Sequence, residues 1–214
     1  QEEAVWNFED DLYQYGASAS YLIPNCWKVG GRKTSATGVI SVPSQSEMPY
    51  AIANNKTNIF AQGSTETTAR SMKFSTTYAS SGKTMVDAYA VMPRIEGSMK
   101  GLQLHFFGRA AHATKSSKKM VANKAYDRKL YLGIMTDEED INTIQILDSI
   151  AYNTIVTTSD LYTDDENEFW REYLISLDKF DGHKVVFYAK SKATATSNFY
   201  IDDLEVLPAG YCFR

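Results

Sequence analysis

The chain predicts an all-β fold, two antiparallel sheets packed face to face in a single sandwich, and three observations carry that expectation. Aromatic residues make up 13% of the sequence and include 14 tyrosines, a composition suited to pleated, half-buried surfaces rather than helices. Short runs of alternating apolar and polar residues recur between turn-rich loops. Helical spacing is scarce, confined to residues 13–19 and 140–142. With 214 residues and 43% hydrophobic content, the chain can bury one ordinary core, and β-sandwiches of this length remain undivided. Residues 1–207 are therefore read as one domain, and residues 208–214 as the start of a linker to a following domain.

The elements follow in order. Trp6-Asn7-Phe8-Glu9-Asp10-Asp11 reads as a short first strand ending in carboxylates, with Ile23-Pro24-Asn25-Cys26-Trp27 after it. From Ser64 to Thr84, 11 of 21 residues are Ser or Thr, and Met72 and Phe74 mark a strand over residues 69–76. Leu102, Leu104 and Phe106 line one strand face; Leu130, Leu132 and Ile134 line another. Residues 145–150 and 173–177 are further short strands. Val185, Phe187 and Ala189 alternate with Val186, Tyr188 and Lys190. Trp27 and Trp170 are expected as core anchors, whereas Trp6 is placed outside the core.

The last strand, residues 198–207, is the most informative. Phe199 and Ile201 alternate with Tyr200, but after Asp202 and Asp203 the apolar positions restart at Leu204 and Val206, one step out of phase. Such a shift turns side chains to the other face unless a bulge absorbs it. Two adjacent carboxylates at the break need either solvent or a cation. If the first strand pairs with the last, Glu9 joins Asp202 and Asp203, with Asp10 in reserve. Several hard oxygens in irregular geometry suit calcium. They suit zinc poorly, because no His or paired Cys lies nearby.

Other chemistry is excluded. A net charge of -4 and a pI near 5.4 argue against nucleic acid as the main partner. No apolar run approaches the ~18 residues of a membrane span. His105, His112 and His183 lack metal-ligand spacing, and the chain holds neither a Gly-x-Ser-x-Gly elbow nor a phosphate-cradling glycine loop. No segment presents the facing carboxylate pair of a glycosidase, so the chain is read as non-enzymatic. Seven basic residues between Arg109 and Lys129 and five acids between Asp160 and Glu168 read as solvated loops. The tripeptides Asn55-Lys56-Thr57 and Asp148-Ser149-Ile150, which match glycosylation patterns, are short enough to arise by chance. The start at Gln1, without Met, reads as a mature or trimmed fragment.

The order of several segments resembles a known group. Phe8-Glu9 with Pro24, Cys26 and Trp27, and the closing Tyr200-Ile201-Asp202-Asp203-Leu204-Glu205-Val206, are similar to jelly-roll modules of the cleaved-adhesin, choice-of-anchor J and MAM-like families. Tyr89-Ala90-Val91-Met92-Pro93, Leu102 to Arg109, Leu130 to Asp137, Trp170 to Tyr173 with Leu177, and Lys184 to Ala189 resemble further strands of those modules, in the same order. The resemblance covers about 200 residues and implies a two-sheet antiparallel jelly-roll β-sandwich. It implies a non-catalytic binding or adhesion module of a secreted or cell-surface protein, with a structural calcium ion. The partner would be a glycan, or else a host or surface protein, alongside neighbouring domains of a larger parent. Carbohydrate modules of this shape use exposed rings as stacking platforms. Tyr131, Phe107, Tyr188 and Tyr200, each opposite the apparent core residues of its strand, are the candidates. A jelly roll also brings first and last strands together, so Cys26 and Cys212 could form a disulfide; free thiols, or pairing of Cys212 with a following domain, are the alternatives.

Overall fold

The computed structural model describes residues 5, 6, 8, 13, 14, 20–53, 70–76, 84–111, 114–116, 119–121, 129–151, 171–191 and 197–210. The strands are β1 (Val5–Trp6), β2 (Lys28–Thr34), β3 (Ile40–Ser41), β4 (Tyr50–Ala53), β5 (Arg70–Thr76), β6 (Met85–Val91) and β7 (Leu102–Ala111). They continue with β8 (Thr114–Ser116), β9 (Lys119–Val121), β10 (Lys129–Met135), β11 (Ile144–Ala151), β12 (Arg171–Ser176), β13 (Val186–Ala189) and β14 (Ser197–Pro208). One sheet runs β12-β7-β14-β5-β4, with β1 also pairing β14; the other runs β11-β10-β13-β6-β2-β3, and β8 and β9 form a separate hairpin. Every pair is antiparallel. The architecture is the expected two-sheet antiparallel sandwich of jelly-roll type.

The core forms where the alternation placed it. Leu104 and Phe106 of β7, Met72 and Phe74 of β5, and Leu130 and Leu132 of β10 are fully buried in one cluster with Phe187 and Phe199. Phe187 is its hub: Trp27 stacks on it at 6.3 Å between centroids, Phe74 lies at 5.5 Å and Phe106 meets it edge-on at 6.0 Å. Such ring pairs add to the area they bury, because edges and faces carry opposite partial charge. Trp6, expected outside the core, packs against it, its ring edge-on to Trp27 at 6.1 Å. Its burial follows from the pairing of β1 with the central strand of the first sheet. Trp170 lies outside the described residues.

Tyr13, at the start of one expected helix, makes an antiparallel bridge to Pro24 and is extended; residues 15–19 lie outside the described residues. Near 140–142 a single 3-10 turn spans Ile141–Thr143, capped by the Asp140 carboxylate, which accepts the Asn142 N–H at 2.9 Å. The final strand runs through Pro208, and the Ala209 N–H donates to the Gly101 carbonyl at 2.7 Å.

Candidate functional site

The phase break in the last strand is a bulge. Ile201 pairs with Gly108 and Asp202 with Phe107, the register then shifts, and Glu205 pairs with His105. The extra residue lets Phe199, Ile201 and Leu204 all enter the same core. Asp203 takes the left-handed conformation, φ 48°, which aspartate tolerates better than most residues. Its N–H donates to the Asp202 carboxylate at 2.8 Å, and Asp202 is 0% exposed. The register of β1, Val5 with Glu205 and Trp6 with Leu204, runs toward this bulge. Phe8 follows in a left-handed conformation, φ 61°, with its ring fully buried. Glu9 and Asp10 lie outside the described residues. Among the described residues no group of three or more His, Cys, Asp or Glu side chains gathers to hold a metal.

Beside the bulge, on the outer face of the first sheet, His105 sits between two carboxylates. Nδ1 is 2.7 Å from Glu205 and Nε2 is 2.8 Å from Glu172. His105 faces outward from the core, yet it is only 4% exposed. Phe107 packs edge-on against the imidazole at 5.3 Å and stays half-buried. Tyr200 is 6% exposed, because its strand has β5 on one side and β7 on the other.

The outer face of the second sheet carries a row of tyrosines. Tyr131 pairs with Tyr188, Tyr188 with Tyr89, and Tyr89 with Gly30 across β10, β13, β6 and β2. The loop after β10 folds over this row: the Tyr89 hydroxyl donates to the Glu138 carbonyl at 2.7 Å, Lys28 pairs with Glu139, and Arg32 donates to Asn142 at 2.9 Å. Burial, reinforced by the acids Glu139, Asp137, Glu138 and Asp140, raises the Tyr89 phenol above its ordinary range. Burial, with Asp87 nearby, does the same to Tyr188. Tyr188 is 8% exposed and offers a ligand little of its ring. Tyr131, at the row's end, is half-buried, tilted against Tyr188 at 6.3 Å, with Ser149 of β11 opposite. Next to the row, a cavity of about 200 Å³ is lined by Val91, Val186 and Met135 and rimmed by Arg94, His183 and Lys184.

No protein-family model matches the chain, and no curated protein does. Among solved structures, a cleaved adhesin domain of Lys-gingipain from Porphyromonas gingivalis matches with a TM-score of 0.53 at 14% identity, covering 98% of this chain and 100% of that one. The fold is that of the cleaved adhesin domains. A second cleaved adhesin domain of Lys-gingipain matches with a TM-score of 0.50 at 10% identity, covering 96% of this chain and 98% of its own. A family 11 carbohydrate-binding module of a Clostridium thermocellum cellulosomal cellulase aligns with a TM-score of 0.40 at 12% identity, covering 96% of this chain and 97% of that one.

The cleaved-adhesin fold divides the four expected platform rings. Phe107 and Tyr200 belong to the first sheet, and Tyr131 and Tyr188 to the second. They cannot form one platform, and only Phe107 and Tyr131 keep appreciable exposed surface. Cys26 is an exposed free thiol at the tip of a turn, φ 67°, closed by the Trp27 N–H to the Pro24 carbonyl at 3.2 Å. Its expected partner, Cys212, lies outside the described residues. Sequence reasoning missed Tyr89 and the buried state of His105. Tyr89 did carry a signal, since it alternates with the core residue Ala90 just as Tyr188 alternates with Phe187.

Proposed function

We propose that this chain is a non-catalytic binding module of a secreted or cell-surface protein, that it recognises a glycan, and that a calcium ion serves its structure. The observation that carries the glycan reading is Tyr131. It is half-buried, tilted against its cross-strand neighbour Tyr188, with polar Ser149 and exposed Lys129 on adjoining positions. An immobilised ring with polar neighbours suits the apolar face and hydroxyl rim of a sugar, since little side-chain freedom is lost on binding. Phe107, on the opposite sheet, is the second candidate ring. Calcium is supported by the bulge, where the fully buried Asp202 and left-handed Asp203 stand where β1 leads toward Glu9 and Asp10.

A glycan array run with calcium, and again with chelator, tests this reading. A reproducible hit that is lost in Tyr131→Ala supports it; silence from a folded sample overturns it. The second reading is a protein-binding or architectural module without glycan affinity, engaging a host protein or neighbouring domains. It takes support from three exposed β-branched residues, Val39, Ile40 and Val42, since apolar side chains clustered at one surface site mark contacts between macromolecules.

A further inference from the structure

The second sheet ends on β3, and β3 is open. Val39 is 63% exposed, Ile40 66% and Val42 80%. No charged residue stands between Lys33 and Glu47, and those two pair with each other at 3.1 Å. Exposed edges are ordinarily blunted by a charge or an interrupting proline; here Pro43 only ends the run.

The backbone register fixes which groups face outward. The Ser35 N–H donates to the Val39 carbonyl at 2.9 Å, and the pairs that follow are Thr34 with Ile40 and Lys33 with Ser41. Val39 and Ser41 therefore turn their N–H and C=O groups toward β2, and the alternation turns those of Ile40 and Val42 away from it. Pro43 keeps the same register, because its Cγ lies 3.0 Å from where a Cβ on Gly31 would sit. The backbone groups of Ile40 and Val42 have no hydrogen-bond partner among the described residues.

We propose that this edge pairs with the same edge of a second copy, antiparallel about a twofold axis at Ser41. In that register Ile40 lies opposite the partner's Val42, and Val42 opposite the partner's Ile40. Each pair exchanges both of its N–H···O bonds, and their side chains meet across the strands. The segment is self-complementary: a β-branched residue on each side of a small one. Self-approach meets no like charge, since Lys33 is paired to Glu47 and Arg32 lies 3.5 Å from Asp87. The two second sheets become one continuous sheet, an isologous contact. So short a contact falls at the low end of interface sizes, which makes the association weak and concentration-dependent.

Sedimentation velocity over a concentration series, combined with directed crosslinking, tests the proposal. In a background of Cys26→Ser and Cys212→Ser, Ser41→Cys is compared with Thr37→Cys, an exposed position in the neighbouring turn. At the dyad the two Cα atoms stand about 4.5 Å apart, within disulfide reach. The expected result is a reversible dimer, oxidation of Ser41→Cys to a dimer at least ~10-fold faster than Thr37→Cys, and a dissociation constant raised roughly 10-fold or more by Val42→Lys. At 80% exposure, Val42→Lys should leave the melting temperature unchanged, so lost association is not unfolding. A protein monomeric at every concentration, equal crosslinking at the two positions, or a dimer indifferent to Val42→Lys would each overturn it.

Discussion

The phenol of Tyr89 lies directly over Gly30: a Cβ at Gly30 would stand 2.4 Å from the hydroxyl oxygen and 2.5 Å from the ring carbon that bears it. The same hydroxyl donates to the Glu138 carbonyl, so one missing side chain on β2 lets one ring on β6 anchor the loop beyond β10. Gly30→Ala must push the ring aside and break that bond. A loss of about 1–3 kcal/mol is expected in denaturant unfolding, against about 1 kcal/mol for Tyr89→Phe. In a Tyr89→Ala background, Gly30→Ala should cost almost nothing, and a full penalty there would show that the clash lies elsewhere.

Alkali should expose the tyrosine row. Tyr89 and Tyr188 have phenols raised by burial in the folded state, so the neutral form is favoured on folding. Stability from these groups is complete below the unfolded value of about 10 and is lost as pH rises through the folded values. Absorbance titration near the phenolate band should show one tyrosine ionising only as the chain unfolds, missing in Tyr188→Phe, and Tyr89 titrating above the exposed tyrosines. Simple titration of every tyrosine near pH 10 would contradict the buried row.

Acid acts on a different corner. The Glu47 carboxyl, though burial pushes it up, is held below its ordinary value by hydrogen bonds from the Ser44 backbone and hydroxyl and from Lys33. Its stabilisation is present above about pH 4.5 and lost as pH falls through the depressed folded value. Glu47→Gln should flatten the acid limb of the stability curve and lower its neutral plateau.

Calcium at the bulge predicts a melting temperature that rises with the ion and falls with chelator. At about 100 times the dissociation constant the gain is about 2.7 kcal/mol. Asp203→Ala should abolish the rise. Asp203→Asn, which keeps a residue tolerant of the left-handed backbone, separates loss of a ligand from backbone strain. A melt indifferent to both calcium and these changes would remove the site.

Binding and stability should separate along the tyrosine row. Tyr131→Ala is expected to weaken glycan binding roughly 10- to 100-fold, about 1.4–2.7 kcal/mol, with little change in melting. Tyr188→Ala should cost about 3–5 kcal/mol of stability because its ring is enclosed. Equal effects of both on stability would mean that Tyr131 serves packing rather than recognition.

Much of this architecture was legible in the residues. Leu104, Phe106, Phe187 and Phe199 announced the core by strict alternation, and the phase break at Asp202 and Asp203 announced the bulge. What the alternation could not supply was which strand neighbours which. Tyr188 and Tyr200 look outward in their own strands, but both strands have neighbours on each side, so the rings are enclosed. His105 is buried by Glu172 and Glu205, residues 67 and 100 positions away in sequence. Cross-strand register of that kind is a long-range property, and local periodicity carries no trace of it.

The position of β14 has a consequence for biogenesis. The strand that joins β7 to β5 and also holds β1 is the last of the described strands. Until it is made, the first sheet can exist only as two separate pairs, β12 with β7 and β5 with β4. The first sheet therefore closes only when its central strand arrives, through contacts between segments far apart in sequence, which slows this step relative to local pairing.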